Sequence, residues 1–295
     1  MRRVAWMATI VCVAAPSLAA AQGVELVGTR ALGMGGAFVA VADDASAVYW
    51  NPAGLPRSNL VTATVEHLDF DTEEQDVGSA SLVAIGTPPL AVSYYRLRTP
   101  ALSAGGASSL VTHHVGGTLV QSIGEYLDVA TTVRFVRGVA GSRASQTVDL
   151  DLGALVVVRN VRAGLLVRNL REPEFETVEE GVALSLDRQV RAGVAWQSTS
   201  EATTVACDVD LTTSHSPFGP QRHVSLGGEQ WFPWFGPRRL AARAGLRLKT
   251  VDDVAPIGSA GVSVRLTASL YADGQITRGG EARDRSWGIA LRFAY

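Results

Sequence analysis

From Asn59 onward the chain breaks into segments of about ten residues in which apolar side chains alternate with small, polar or charged ones. Successive side chains of a strand point to opposite faces, so each segment reads as a strand with one greasy and one polar face. In residues 239–249, Leu240, Ala242, Ala244, Leu246 and Leu248 share one face, and Ala241, Arg243, Gly245, Arg247 and Lys249 share the other. In residues 286–295, Trp287, Ile289, Leu291, Phe293 and Tyr295 alternate with Ser286, Gly288, Ala290, Arg292 and Ala294. Residues 126–136 and 148–158 repeat the pattern, with Arg134, Asp149 and Asp151 on the polar side. A soluble β-sandwich also alternates. It does not put Arg and Asp at inward positions on strand after strand, because a solid core must pair every buried charge.

Composition narrows the class. Hydrophobic residues make up 47% and charged residues 18%. After the first residues, however, no stretch approaches the run of about 18 apolar residues that a helical span needs. A closed barrel satisfies every backbone group between strands and hides its apolarity by alternation. Counting segments from 60–70 to 285–295 predicts an all-β fold. It is a transmembrane antiparallel β-barrel of about fourteen strands over residues 59–295, the even number that single-chain bacterial barrels require. Residues 171–188, 213–222 and 278–284 are longer and polar, as outer loops tend to be.

The ends of the chain point to the same compartment. Met1-Arg2-Arg3, a run of apolar residues to Ala15 and an Ala19-x-Ala21 end predict a signal peptide over 1–21, cut before Gln22. Cys12 does not make it a lipoprotein signal, because Val11 is too bulky and the apolar run continues past it. The last strand closes on Phe293 and Tyr295, which resembles the sorting signal read by the outer-membrane assembly machinery. The expected location is the bacterial outer membrane, with its lipid as the first partner. The net charge of −2, two units more negative without Arg2 and Arg3, suggests no nucleic-acid partner.

Residues 22–58 read differently, as a short helical and loop segment. Gly33, Gly35 and Gly36 permit positive φ or close backbone approach. Asp43 or Asp44 can cap a short helix. Asn51-Pro52-Ala53-Gly54 fits a type I turn. This stretch, with Asp43-Asp44-Ala45-Ser46 followed by Tyr49-Trp50-Asn51-Pro52-Ala53-Gly54-Leu55, resembles the N-terminus of the FadL and PorV/PorQ barrel superfamily. Residues 188–196, 223–231 and 240–246 resemble the PorV/PorQ branch in particular. The resemblance implies a barrel whose N-terminal segment sits in the lumen as a hatch. For function it implies a non-enzymatic barrel that binds or shuttles a secreted protein cargo. The alternative is a FadL-like conduit for long-chain fatty acids or other hydrophobic small molecules. A length of 295 residues, short for the FadL type, and an inward face read as mainly charged or small favour the first.

No chemistry-bearing constellation survives. Gly33-Met34-Gly35-Gly36 lacks the Lys-Ser/Thr of a phosphate loop. His113 and His114 are neighbours on a strand and point apart, which defeats a shared metal. Cys207, His67, His215 and His223 lack spaced partners, and no Gly-x-Ser-x-Gly elbow occurs. The expectation is therefore no catalytic residue, metal or cofactor. What remains is an inward set of both signs, including Arg134, Asp149, Asp151, Arg191, Glu229, Arg243, Arg247 and Arg292. Such a set can knit itself together through Arg–carboxylate bonds and hold the hatch.

Overall fold

The computed structural model describes residues 27–71, 77–103, 106–176, 183–216, 219–233, 239–251, 255–280 and 284–295. The signal peptide and its cleavage residues Ala19, Ala21 and Gln22 lie outside them. Alternating sequence becomes antiparallel wall: β1 (Thr62–Asp71), β2 (Val77–Thr87), β3 (Leu90–Ser103), β4 (Gly106–Ile123), β5 (Leu127–Ala140), β6 (Arg143–Val158) and β7 (Val161–Arg168). A hairpin of β8 (Glu174–Glu176) and β9 (Ala183–Ser185) precedes β10 (Gln189–Gln197) and β11 (Thr203–Asp210). A second hairpin, β12 (Ser214–Ser216) and β13 (Gly219–Gln221), precedes β14 (His223–Phe232) and β15 (Leu240–Lys249). The wall ends with β16 (Pro256–Arg265), β17 (Leu270–Arg278) and β18 (Ser286–Ala294).

Fourteen of these strands form one closed antiparallel barrel, the four hairpin strands standing apart. β1 and β18 seal it in register from Thr62 opposite Ala294 to Phe70 opposite Ser286. Closure leaves no unpaired strand edge, which is what a hydrocarbon environment demands. Residues 171–188 and 213–222, expected as polar loops, each carry one of the short hairpins. Short turns such as Pro88-Pro89 and Arg159-Asn160 gather at the end that also holds Val61 and Tyr295. The two longest connections, residues 169–188 and 211–222, lie at the other end. That asymmetry makes the first end periplasmic and the second extracellular.

The two faces separate as alternation requires. Outward positions hold exposed Val65, Ile85, Val92, Leu119, Phe135, Trp196, Val205, Leu226, Ile276, Ile289 and Leu291. Phe293 and Tyr295 point outward too. Every charged residue singled out above on the strands points inward. A fully exposed apolar belt on a closed barrel has one compatible solvent, the lipid bilayer.

Candidate functional site: the lumen and its N-terminal segment

Residues 27–55 are buried almost throughout, yet none of them belongs to the wall. They run through the barrel interior as α1 (Thr29–Gly33), α2 (Ala47–Trp50) and a 3-10 turn, Pro52–Arg57, joined by irregular chain. Irregular backbone cannot satisfy its own N–H groups, and an unmatched buried N–H is costly. The wall supplies the acceptors. Thr29 N donates to Glu66 Oε2 at 2.5 Å. Phe38 N and Val39 N both donate to Asp208 Oδ2 at 2.8 Å. Asn51 acts as an internal clasp, its Nδ2 donating to Val39 O at 2.9 Å and to Ala154 O at 3.0 Å. Near the periplasmic end Arg57 donates to Asp128 at 2.7 Å.

Arg30 anchors the segment. Its Nε and Nη2 form a fork on the two carboxylate oxygens of Glu229, at 2.9 and 2.8 Å. Its Nη1 reaches Asp43 at 2.5 Å and Asp44 at 2.9 Å. Glu229 also accepts from Arg243 Nε at 2.6 Å. Arg243 continues to Ser263 and Asp273, and Arg292 reaches Asp273 at 3.1 Å. Charges alternate along this chain, so no buried ion stands without its counterion. Asp44 also accepts from Ser46 N at 2.9 Å, but no side chain caps α2. The acidic pair thus serves mainly as partner to Arg30 rather than as a helix cap. Asn51-Pro52-Ala53-Gly54 closes with Gly54 N bonded to Asn51 O at 2.9 Å, the bond of the expected turn, and the chain continues as a 3-10 turn to Arg57.

A second charged cluster does a different task. Fully buried Arg134 donates to Asp149, to Asp151 at 2.7 Å and to Asn169 Oδ1 at 2.7 Å, and it contacts Tyr95 and His114. Asp151 accepts from Asn169 N at 3.0 Å and Asp149 from Arg171 N at 3.1 Å. These residues fasten the extracellular connection that carries the β8–β9 hairpin, rather than the N-terminal segment. That hairpin turns into the barrel mouth, where Phe175 and Leu186 pack on Val136. The expected single network is therefore two. Tyr49 spans them, edge-on to Tyr95 with centroids 5.6 Å apart and 3.7 Å beneath the guanidinium of Arg168. Arg191 pairs instead with Asp210 at 2.6 Å and lies over the Trp50 ring. Arg247 points inward too, its Nε without a partner among the described residues.

Glycine decides how close the segment comes to the wall. Gly35 has φ +67°, and a Cβ built on Gly245 would lie 2.1 Å from Gly35 N. Two backbones meet there with no room for a side chain. Gly245→Val, on the barrel side, should unseat the segment while leaving the strand's lipid face intact. The expected result is a folded, heat-modifiable barrel in which a protease cuts near residue 35. Protection equal to that of the unaltered protein would refute the contact.

Sequence reasoning gathered the charges and missed the apolar part of the lumen wall. The inner faces of β1, β2 and β3 carry Leu68, Phe70, Ala80, Leu82, Tyr95 and Leu97, all buried in one cluster with Leu32, Phe38, Val48 and Leu55 of the N-terminal segment. The lumen described as mainly charged or small is thus divided: charged on β5–β7, β10, β11 and much of β14–β18, and largely apolar on β1–β3 apart from Glu66. Arg30 and Glu66 were also missed. The signal for Arg30 was present, since a lone cation bound for a lumen must meet carboxylates.

No curated protein matches the chain in sequence. A family model described as the F plasmid transfer operon protein TraF matches residues 140–210, which is less than half of the chain. Solved structures match over nearly the whole length. The Ralstonia pickettii toluene transporter TbuX superposes with a TM-score of 0.66 at 12% identity, covering 95% of this chain and 99% of that one. A Pseudomonas aeruginosa FadL homologue gives 0.64 at 9% identity, covering 93% and 100%. The Pseudomonas putida toluene transporter TodX gives 0.62 at 11% identity, covering 94% and 99%. At such identities the likeness is one of fold. The closed fourteen-stranded wall and its apolar belt define an outer-membrane β-barrel, and its architecture is that of the FadL-like barrels.

Proposed function

We propose that this barrel is a non-enzymatic conduit for a small hydrophobic molecule, with residues 22–58 as its hatch. The observation that carries the reading is the apolar inner wall of β1–β3, which faces the hatch along its length. A greasy track beside a removable plug offers a hydrophobic solute a path of low desolvation cost. The expectation of a protein-shuttling barrel of the PorV/PorQ type rested on length and resemblance, and in part on a lumen read as mainly charged or small. The largely apolar inner wall of β1–β3 favours a hydrophobic solute instead. The fold neighbours TbuX and TodX are toluene transporters by description, which supports the same class of cargo.

The wall itself is closed at rest. The β3–β4 and β4–β5 ladders run unbroken through Gly116 and Gly117. On the lipid side, however, Gly117 floors an apolar depression rimmed by Ile85, Val92, Val115 and Val133. Transport is tested by uptake of a radiolabelled monoaromatic hydrocarbon and of a long-chain fatty acid into cells lacking their own carriers. Expression should raise the initial rate of at least one about tenfold, and Leu82→Arg on the inner wall should abolish the gain. Uptake equal to that of cells carrying the empty vector would overturn the reading.

A further inference from the structure

The lipid face is apolar along its middle, and on β3–β5 it turns cationic at its extracellular edge. On β3, β4 and β5 the outward residues Tyr94, Val115 and Phe135 lie side by side and complete the apolar belt. One step toward the extracellular end, the row becomes Arg96, His113 and Arg137, each paired in register with the next. Arg98 follows above Arg96 on the same outward face. The step from hydrocarbon-facing to cationic occurs within two residues on three adjacent strands.

Strands lie about 4.8 Å apart, so the roots of Arg96 and Arg137 stand about 10 Å apart, on either side of His113. Long guanidinium arms from those roots can meet over the imidazole between them. His113 is held by Tyr94, whose hydroxyl lies 2.9 Å from Nδ1. Among the described residues, neither Arg96 nor Arg137 has a carboxylate partner. Their neighbours in the row beyond β3 are Ser81 and His67, and His67 is already paired with Asp69 at 3.2 Å. Two forked donors with no anion among the described residues, at the upper edge of a lipid belt, suit an external one.

We infer that this row is a binding site for the phosphate groups of a phosphorylated glycolipid of the outer leaflet, that is, the lipid A portion of lipopolysaccharide. Charge complementarity selects the headgroup, and the apolar rows directly below, with Val83, Val92, Val115 and Phe135, supply a surface for its acyl chains. The site lies on the outer wall of β3–β5 and rests on the membrane placement of the barrel, independent of what crosses the lumen.

The test uses the full-length barrel in nanodiscs of neutral phosphatidylcholine with trace bisphosphorylated lipid A, or the same lipid dephosphorylated. Native mass spectrometry then counts retained lipid. The phosphorylated form should be retained about tenfold better. The double variant Arg96→Ser/Arg137→Ser should lose that preference, and millimolar inorganic phosphate should not displace the lipid. Should the double variant fail to assemble, Arg137→Gln, at the more exposed position, gives the same reading. Equal retention of the two lipids, a preference that survives the substitutions, or displacement by free phosphate would each overturn the site.

Discussion

Removal of residues 22–58 should turn a closed barrel into an open pore. A wall of fourteen strands is wide, and barrels of 16–18 strands with unfilled interiors conduct water and ions freely. Here the interior is taken up by the N-terminal segment, from Thr29 against β1 to Arg57 against Asp128. Its loss exposes Glu66, Asp208 and Glu229, which would hydrate and line an aqueous path. Single-channel conductance in planar bilayers should rise on the order of tenfold or more. The β8–β9 hairpin still covers part of the mouth, so a further rise is expected when Phe175 is replaced by Ser in the same background. Conductance unchanged by the deletion would mean that the segment does not occlude the barrel in the membrane.

Glu229→Ala should release the same segment without shortening the chain. Glu229 alone holds the fork of Arg30 and also neutralises Arg243. Deleting it leaves two guanidiniums facing each other inside the barrel, one on the hatch and one on the wall. Removal of one partner from a buried ion pair costs about 3–5 kcal/mol. Taken wholly from hatch docking, that corresponds to a hundred- to thousandfold rise, on the order of magnitude, in the open fraction. Channel recordings should show it as frequent excursions to the conductance of the deletion variant. Arg30→Met gives the discriminating comparison. It leaves the Glu229–Arg243 pair intact, so it should open the barrel while the denaturation midpoint of the wall stays near that of the unaltered protein. Equal loss of wall stability in both variants would show that Glu229 serves the wall rather than the hatch.

Every strand of the wall was legible because alternation is a local property. A residue's face follows from its parity within ten neighbours, whatever the rest of the chain does. Segments read at 126–136 and 239–249 became Leu127–Ala140 and Leu240–Lys249 for that reason. The inward orientation of Arg134, Asp149, Glu229 and Arg243 followed from the same parity. The apolar track on β1–β3 was open to the same reasoning. It escaped because both faces of these strands carry apolar residues, such as Leu82 inward beside Val83 outward, so Leu68, Leu82 and Leu97 do not stand out by parity.

Partners were not legible. Arg30 and Glu229 stand 199 residues apart, and nothing near either one names the other. Their meeting depends on the stagger accumulated around a closed sheet and on the path of irregular chain within it. The same holds for the division of the charges into a cluster that grips the N-terminal segment and one that grips the extracellular hairpin. Arg134 and Glu229 look alike in sequence, as single charges at inward positions of alternating strands. Only closure of the barrel places one beside Asn169 and the other beside Arg30. Side-chain direction is set within a few residues by the pleat of the strand, whereas side-chain company is set by register across the whole wall.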